Sequence, residues 1–421
     1  MAIPENGVTF ALMPDPSRVR YLDNTTPPHL STLIILAGVS ALAMNIFLPS
    51  LPGMTEYFST DYGIMQLSVA LYLGFNAALQ LVIGPISDRF GRRPVVMGGI
   101  VLFMLATMGC LLATTVEVFL VFRMAQAAIV VGMVLSRAIV RDLVDQDQAA
   151  SMIGYLTMGM SVVPMIGPGI GGILDEAFGW HANFWLLFLL GGALFALVWA
   201  DLGETAPLKN SSFRDQVRDY PALLTSPRFW GYNLTAAFSS GAFFAYLGGA
   251  PYVGAEVFGM SPSVLGFYFG APAIGYFLGN WASGRFSIRY GINPMILTGA
   301  LLCSGGMVLL LVLFLMGIQS AFIFFAFMTF VGLGNGMVIP NATSGMLSVR
   351  PKLAGTASGL GGAMMLGGGA LLSALAGAAL GDGATAIPLI LIMSATTLAG
   401  VGAILFVLRR EAQLKAMSAA E

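Results

Sequence analysis

Apolar runs of about 20 residues recur along most of this chain. They fall at 30–51, 64–84, 95–114, 116–138, 149–173 and 181–200, then at 229–252, 263–283, 294–317, 320–344, 353–379 and 386–408. A helix rises about 1.5 Å per residue, so each run covers the ~30 Å hydrocarbon core of a bilayer. In lipid the backbone must satisfy its own hydrogen bonds, which leaves helices or closed barrels. The short alternating segments of a barrel are absent. Composition agrees: 57% of the 421 residues are hydrophobic and 9% charged, against roughly 25% charged in a soluble domain. The expected fold class is an all-α membrane protein with twelve transmembrane helices.

The 19 Lys and Arg test that count. If the helices alternate in direction, Arg18, Arg20, Arg89, Arg92, Arg93, Arg137, Arg141, Lys209, Arg214, Arg218, Arg228, Arg285, Arg289, Arg350, Lys352, Arg409, Arg410 and Lys415 all fall on one face. This positive-inside pattern puts both termini in the cytoplasm. The first 28 residues lack the basic start and apolar middle of a signal peptide and read as a flexible tail. Cys110 and Cys303 sit inside apolar runs and read as small buried residues, not as a disulfide framework or metal site. The net charge of −1 by itself says nothing about nucleic acid, and no nucleic-acid partner is expected of a membrane-embedded chain.

The chain also repeats itself. "SDRFGRRP" at 87–94 returns as "SIRYGINP" at 287–294, with Ser, Arg, an aromatic, Gly and Pro in register. Gln80 matches Asn280, Gly84 matches Gly284, and Asn76 matches Tyr276 at the same offset. The longest internal polar segment, 201–228, divides the runs six and six. The expected organisation is an N-terminal tail at 1–29, a six-helix half at 30–200, a cytoplasmic linker at 201–228, a second half at 229–408 and a tail at 409–421. Two similar halves around a central site form a recurrent transporter plan.

These stretches resemble the major facilitator superfamily. "GPISDRFGRRP" (84–94) is similar to its loop signature between helices 2 and 3, with Gly84, Asp88, Arg89, Gly91, Arg92 and Arg93 in place. "RMAQA" (123–127) is similar to its helix 4 signature, with Ala127 where Gly is usual. "PMIGPGIGG" (164–172) is similar to the helix 5 signature of its antiporter branch. "FLPSLP", "SRAIVRD", "GWHANFW" and "APYVGAEVFGMSPSVLGFYF" resemble the bicyclomycin/chloramphenicol-resistance type of drug/proton antiporter. The resemblance implies the major facilitator fold, a functional monomer and a bacterial inner membrane.

It also implies roles. Asp88, Arg89, Gly91, Arg92 and Arg93 would latch the halves on the cytoplasmic face, through charge pairing and a carboxylate at a helix N-terminus; the alternative is that the arginines only set topology. Pro164 and Pro168 remove backbone donors and bend helix 5, while Gly167, Gly171 and Gly172 admit a neighbouring helix; the family reading makes this bent seam a gate. Arg123 is the single cation inside the bilayer by this count. It either lines a central cavity with Gln126, binding an anionic group, or serves as a hydrogen-bond hub to backbone carbonyls. Tyr72, Asn76 and Gln80 form one polar stripe on helix 2, echoed by Tyr276 and Asn280 on helix 8. Asn45, Tyr72, Asn76, Arg123, Gln126 and Tyr276 are the expected substrate-binding residues.

One departure bears on energy coupling. Asn45 stands where the resembling subfamily commonly has Asp, and Asn cannot carry a proton. Glu117, at the outer start of helix 4, and Asp88 are the candidate replacements. No metal-ligand cluster, nucleophile elbow or pair of interior carboxylates supports catalysis or a cofactor, and "GLGNG" (332–336) is no phosphate loop because no strand precedes it. The expected activity is export of small amphiphilic compounds, including antibiotics, by alternating access with proton exchange. The alternative is a dedicated metabolite carrier, of the organic-anion kind, without obligatory proton coupling.

Overall fold

Runs with so few charges fold as helices packed side by side. The computed structural model describes residues 19–205 and 221–420, apart from 145, 222, 351, 352, 382 and 384. The helices are α1 (Leu30–Asn45), α2 (Leu51–Tyr57), α3 (Tyr62–Phe90), α4 (Arg92–Leu111), α5 (Val116–Gln126), α6 (Val130–Leu143), α7 (Gln146–Phe178) and α8 (His181–Asp201). They continue as α9 (Pro227–Tyr252), α10 (Pro262–Tyr268), α11 (Ala271–Tyr290), α12 (Ile292–Leu315), α13 (Ala321–Ser348), α14 (Ala354–Ala378) and α15 (Ile387–Ala420). No strand occurs among the described residues.

Among the described residues nine stretches are long and apolar enough to cross a bilayer. Two of them are composite. Leu30–Tyr57 joins α1 and α2 through a tight turn at Leu48–Ser50, where Pro49 and Pro52 remove backbone donors. Val116–Leu143 joins α5 and α6 through a turn at Ala127–Ile129. Three further helices, α7, α9 and α11, have 33, 26 and 20 residues.

The packing pattern occurs twice. α1 packs on α6, α7 and α8, and α9 packs on α13, α14 and α15. α4 packs on α5 and α8, and α12 on α13 and α15. α3 packs on α5 and α6, and α11 on α13. Between the two sets run two seams, α3 against α14 and α7 against α10.

Glycines make the close approaches. A Cβ on Gly171 would run into the carbonyl of Ile46, and one on Gly167 would press on Leu42, both on the α1 side. A Cβ on Gly172 would meet the carbonyl of Pro262, and one on Gly266 the carbonyl of Pro168, on the α10 side. α7 is thus clasped from two directions. "GLGNG" is the packing face of α13: Gly332 abuts Pro272, and Gly336 abuts Tyr276 and Asn280, while Gly275 and Gly279 meet α13 from α11. On α14, Gly362, Gly369 and Gly377 face Gln80, Phe244 and Gln66, whereas Gly359, Gly367 and Gly368 face open space.

The described parts of the two expected tails, 19–29 and 409–420, are attached to the bundle. Asp201, fully buried at the end of α8, accepts from the backbone N–H groups of Leu22 (2.8 Å) and His29 (2.9 Å). Asn24 donates to Trp199 O (3.2 Å). Residues 19–29 are therefore tied to the bundle, because a buried carboxylate needs donors and this segment supplies them. At the other end α15 runs unbroken to Ala420, so 409–420 continues the last helix. Its "EAQLKA" stretch consists of strong helix formers. Most of the expected linker, 206–220, lies outside the described residues.

The apolar core is asymmetric. One cluster runs from Leu33, Phe103 and Leu135 across to Tyr246, Phe324, Leu380 and Met393. A second is confined to Phe229, Tyr232, Ile296, Val338, Met346 and Val407. The two sets of helices thus share one core towards the end marked by Tyr246 and Leu380, and part towards the other.

The close approach at α7 predicts that Gly171→Ala destabilises the protein by roughly 1–3 kcal/mol, the usual cost of overpacking. Gly98→Ala, at an open position, should leave the melting temperature unchanged. Thermal unfolding of both variants in detergent checks this.

Candidate functional site

An arginine at a helix centre costs about 2.5–3.5 kcal/mol to insert, so its surroundings must compensate. Arg123 is 1% exposed. Its Nε donates to Ser68 O of α3 (3.3 Å), one terminal nitrogen donates to Ala43 O of α1 (2.9 Å), and the other to Gln126 Oε1. Gln126 in turn donates to Thr107 Oγ1 of α4 (2.8 Å). The guanidinium lies between the rings of Phe47 and Tyr72, 4.3 and 4.1 Å from their centroids. Charge-assisted hydrogen bonds contribute about 1.5–3 kcal/mol each, and a desolvated ring face about 2 kcal/mol. Together they outweigh the insertion cost. This is the geometry of the hub: Arg123 ties α1, α3, α4 and α5 into one unit, and each of its three guanidinium nitrogens donates one bond.

The neighbouring polar residues are enclosed too. Asn45 is 1% exposed; its amide donates to Ala41 O (3.2 Å) and its Oδ1 has no partner. Tyr72 lies against Arg123, and Asn76 accepts from Gln80 (3.2 Å) within the stripe. Tyr276, half-buried on α11, accepts at its backbone carbonyl from Asn280 (2.8 Å). Five of the six expected binding residues therefore cluster on α1, α3 and α5, with Tyr276 on α11.

One end of the seam between the two sets is sealed. Tyr62 donates to Gly248 O (2.8 Å), and Gln66 donates to Ser373 Oγ (2.6 Å). Gly377 abuts Gln66, and Ser263 donates its backbone N–H to Glu176 (3.3 Å). Gly167, Pro168, Gly171 and Gly172 lie at this end of α7; Pro164 lies on the same helix, with its side chain outside the described ones. Beyond the seal is a recess of about 660 Å³ lined by Glu56, Asp61, Tyr62, Tyr252, Glu256 and Thr385 among others. The sequence reading missed Tyr62, Gln66 and Ser373. Gln66 carried a signal, a lone amide in an apolar run.

The repeated phrase folds the same way twice. Gly91 and Gly291 have φ of 95° and 87°, and each donates to the serine four residues back, at 2.9 and 2.8 Å. Arg92 pairs with Asp88 (2.6 Å) and with Asp142 of α6 (2.9 Å) and donates to Ser87. Glu204, just past α8, accepts from the backbone N–H of Arg92 (2.8 Å) and of Arg93 (3.3 Å), a carboxylate seated on the N-terminus of α4. Arg93 also donates to Trp199 O (2.9 Å), and Arg89 stacks on Phe90. In the second phrase Glu411 of α15 accepts from Asn293 (2.7 Å), Tyr232 (2.8 Å) and Arg228 (3.1 Å). An acid just past α8 in one set, and one within the extended α15 in the other, thus hold the starts of α4 and α12. Sequence reading passed over both acids because their partners are distant in the chain.

The candidate proton carriers lie away from the centre. Glu117 is exposed in the first turn of α5, so it is not drawn inwards. Asp88 is engaged in the ion pair above. Asp175 is half-buried and hydrogen-bonded to Ser50. Among the described acids only Asp201 is fully buried.

Two outcomes follow. Arg123→Met should lower transport of anionic and neutral compounds alike and lower the melting temperature, since it removes a hub. Glu204→Ala should cost about 1 kcal/mol, the worth of a carboxylate at a helix N-terminus. Unfolding curves and a two-substrate uptake assay check both.

Known proteins agree with this architecture. The sequence profile of the Major Facilitator Superfamily matches residues 33–374. The MFS-type transporter YdgK of Bacillus subtilis is 32% identical, over 90% of this chain and 96% of its own. Multidrug resistance protein D of Escherichia coli is 30% identical over 82% and 87%, and the chloramphenicol resistance protein of Pseudomonas aeruginosa 31% over 77% and 78%. Among solved structures, a D-xylose–proton symporter superposes with a TM-score of 0.67 at 16% identity, covering 90% of this chain and 96% of its own. The human organic anion transporter MFSD10 superposes with a TM-score of 0.65 at 18%, covering 90% and 98%. At that identity the likeness concerns the fold. With its glycine-clasped helices, its twice-used packing pattern and a profile match over most of its length, the chain belongs to the major facilitator superfamily of membrane transporters.

Proposed function

We propose that this protein exports small amphiphilic compounds, drugs among them, by alternating access across a bacterial inner membrane. The observation that carries the reading is the uneven seam: the two sets of helices are sealed through Tyr62, Gln66 and α7 at one end and have separate cores at the other. In this reading the sets are two six-helix halves, with α7, α9 and α11 completing twelve spans. The arginine-rich face lies in the cytoplasm with both termini, and the sealed end faces outwards. The halves rock about the seams. The α7 glycines close the outer side, and the Asp88–Arg92–Asp142 cluster stiffens the inner ends of α3, α4 and α6. The drug-resistance names of two relatives support this substrate class. The protein acts as a monomer.

Proton exchange is the driver in this reading, and Asp88, Glu117 and Asp175 are the acids to test. The second reading, a dedicated metabolite carrier, rests on Asn45, which leaves the centre of α1 without a titratable group.

Proteoliposomes with an internal pH-sensitive dye decide between them. Wild type should move protons when a transported drug is added, and Asp88→Asn should slow transport while inserting normally. Asn45→Asp should make transport more steeply pH-dependent. If wild type moves no protons while labelled substrate still crosses, the carrier reading replaces the antiporter.

A further inference from the structure

Arg123 has its charge engaged; among the described residues Arg137, on α6, has an enclosed guanidinium nitrogen without an acceptor. The residues of α6 separate into two faces: Gly132, Leu135, Ser136, Ile139 and Val140 are buried, while Met133, Arg137 and Arg141 remain partly accessible at a spacing of four. Arg137 lies six residues before the end of the helix, about 9 Å along its axis. Its Nε is enclosed and has no acceptor among the described residues. No described carboxylate lies within ion-pair distance of it. Arg141, one turn further along α6, adds a like charge and no acceptor. On α11, Tyr276 and Asn280 are half-buried, and Gly284 faces open space.

A guanidinium in low dielectric without a counter-charge is costly, and structures keep one where a ligand supplies the missing acceptor. The planar fork of arginine suits a carboxylate, sulfonate or phosphonate, which it holds by two parallel bonds.

We propose that Arg137, on the accessible face of α6, takes the anionic head group of an amphiphilic substrate. Arg123 holds the helices, and Arg137 selects the ligand. This rests on the transport reading above and adds a substrate class to it.

The test uses purified full-length protein in proteoliposomes with three probes: carboxyfluorescein (anionic), chloramphenicol (neutral) and ethidium (cationic). Arg137→Ala should lower carboxyfluorescein transport by about tenfold, the worth of one charge-assisted contact, chiefly through a higher KM. Ethidium and chloramphenicol should change by less than about twofold. Arg137→Lys should restore part of the anion transport. Equal loss for all three probes in Arg137→Ala, with no recovery in Arg137→Lys, would overturn the inference. A thermal-shift titration with carboxyfluorescein runs in parallel: wild type and Arg137→Lys should be stabilised, and Arg137→Ala should not. If wild type transports none of the probes, the export reading fails. The Arg137 site then stands if the thermal shift depends on Arg137, and falls if it does not.

Discussion

Helices in a bilayer are not driven together by the hydrophobic effect, because lipid tails are as apolar as leucine. They stay together where backbones approach closely, and here that means glycine. α7 shows the consequence most clearly. Gly171 sits on the carbonyl of Ile46, and Gly172 on that of Pro262. One helix is thereby fixed to α1 within its own set and to α10 across the seam. α13 and α11 make the same kind of bond with glycines on both partners. Because these contacts are backbone to backbone, they have no side chain with which to adapt. They favour rigid units that move whole, and they confine any relative motion to the seams.

Polar groups add a second layer of fixing. Arg123, Asp201, Glu204 and Glu411 are each satisfied locally, and each satisfaction joins elements far apart in the chain. Arg123 joins α1, α3, α4 and α5. Asp201 joins the end of α8 to residues 22 and 29. Glu204 and Glu411 do the same for the starts of α4 and α12, by a backbone clamp in one case and a side-chain clamp in the other. The repeated phrase is therefore kept for its turn, which needs a glycine at positive φ, while the pairing chemistry around it has diverged.

How much of this was legible in the chain depends on range. The apolar runs are local, and they give the helices with errors of a few residues: α15 overruns its expected end because a polar helix carries no apolar signal, and α2 extends the first span to Tyr57. The glycine and proline signature of α7 marks a close contact, and the contact is there, on two faces instead of one. Arg123 was visible as an anomaly, but its role turns on Ala43, Ser68 and Phe47, none of which carries a chemical signal of its own. Arg137 was hidden by counting: assigned to the helix end with Arg141, it looked like one more topology charge. Glu204 and Glu411 were lost for the same reason, since a carboxylate near a loop is unremarkable until its partners, more than a hundred residues away, are known.

The enclosure of Arg123 also limits how energy can be coupled. A guanidinium held by two backbone carbonyls, one amide oxygen and two rings has no labile partner. Its charge is not neutralised and released as a proton comes and goes. Asn45 adds nothing titratable beside it. The charge of this part of the bundle is then constant through the cycle, so a voltage across the membrane acts on it equally in every state that keeps its depth. The work available from the potential, about 2.3 kcal/mol per charge per 100 mV, must enter through groups that do change charge or position. Those are the acids near the ends of the helices and the substrate itself.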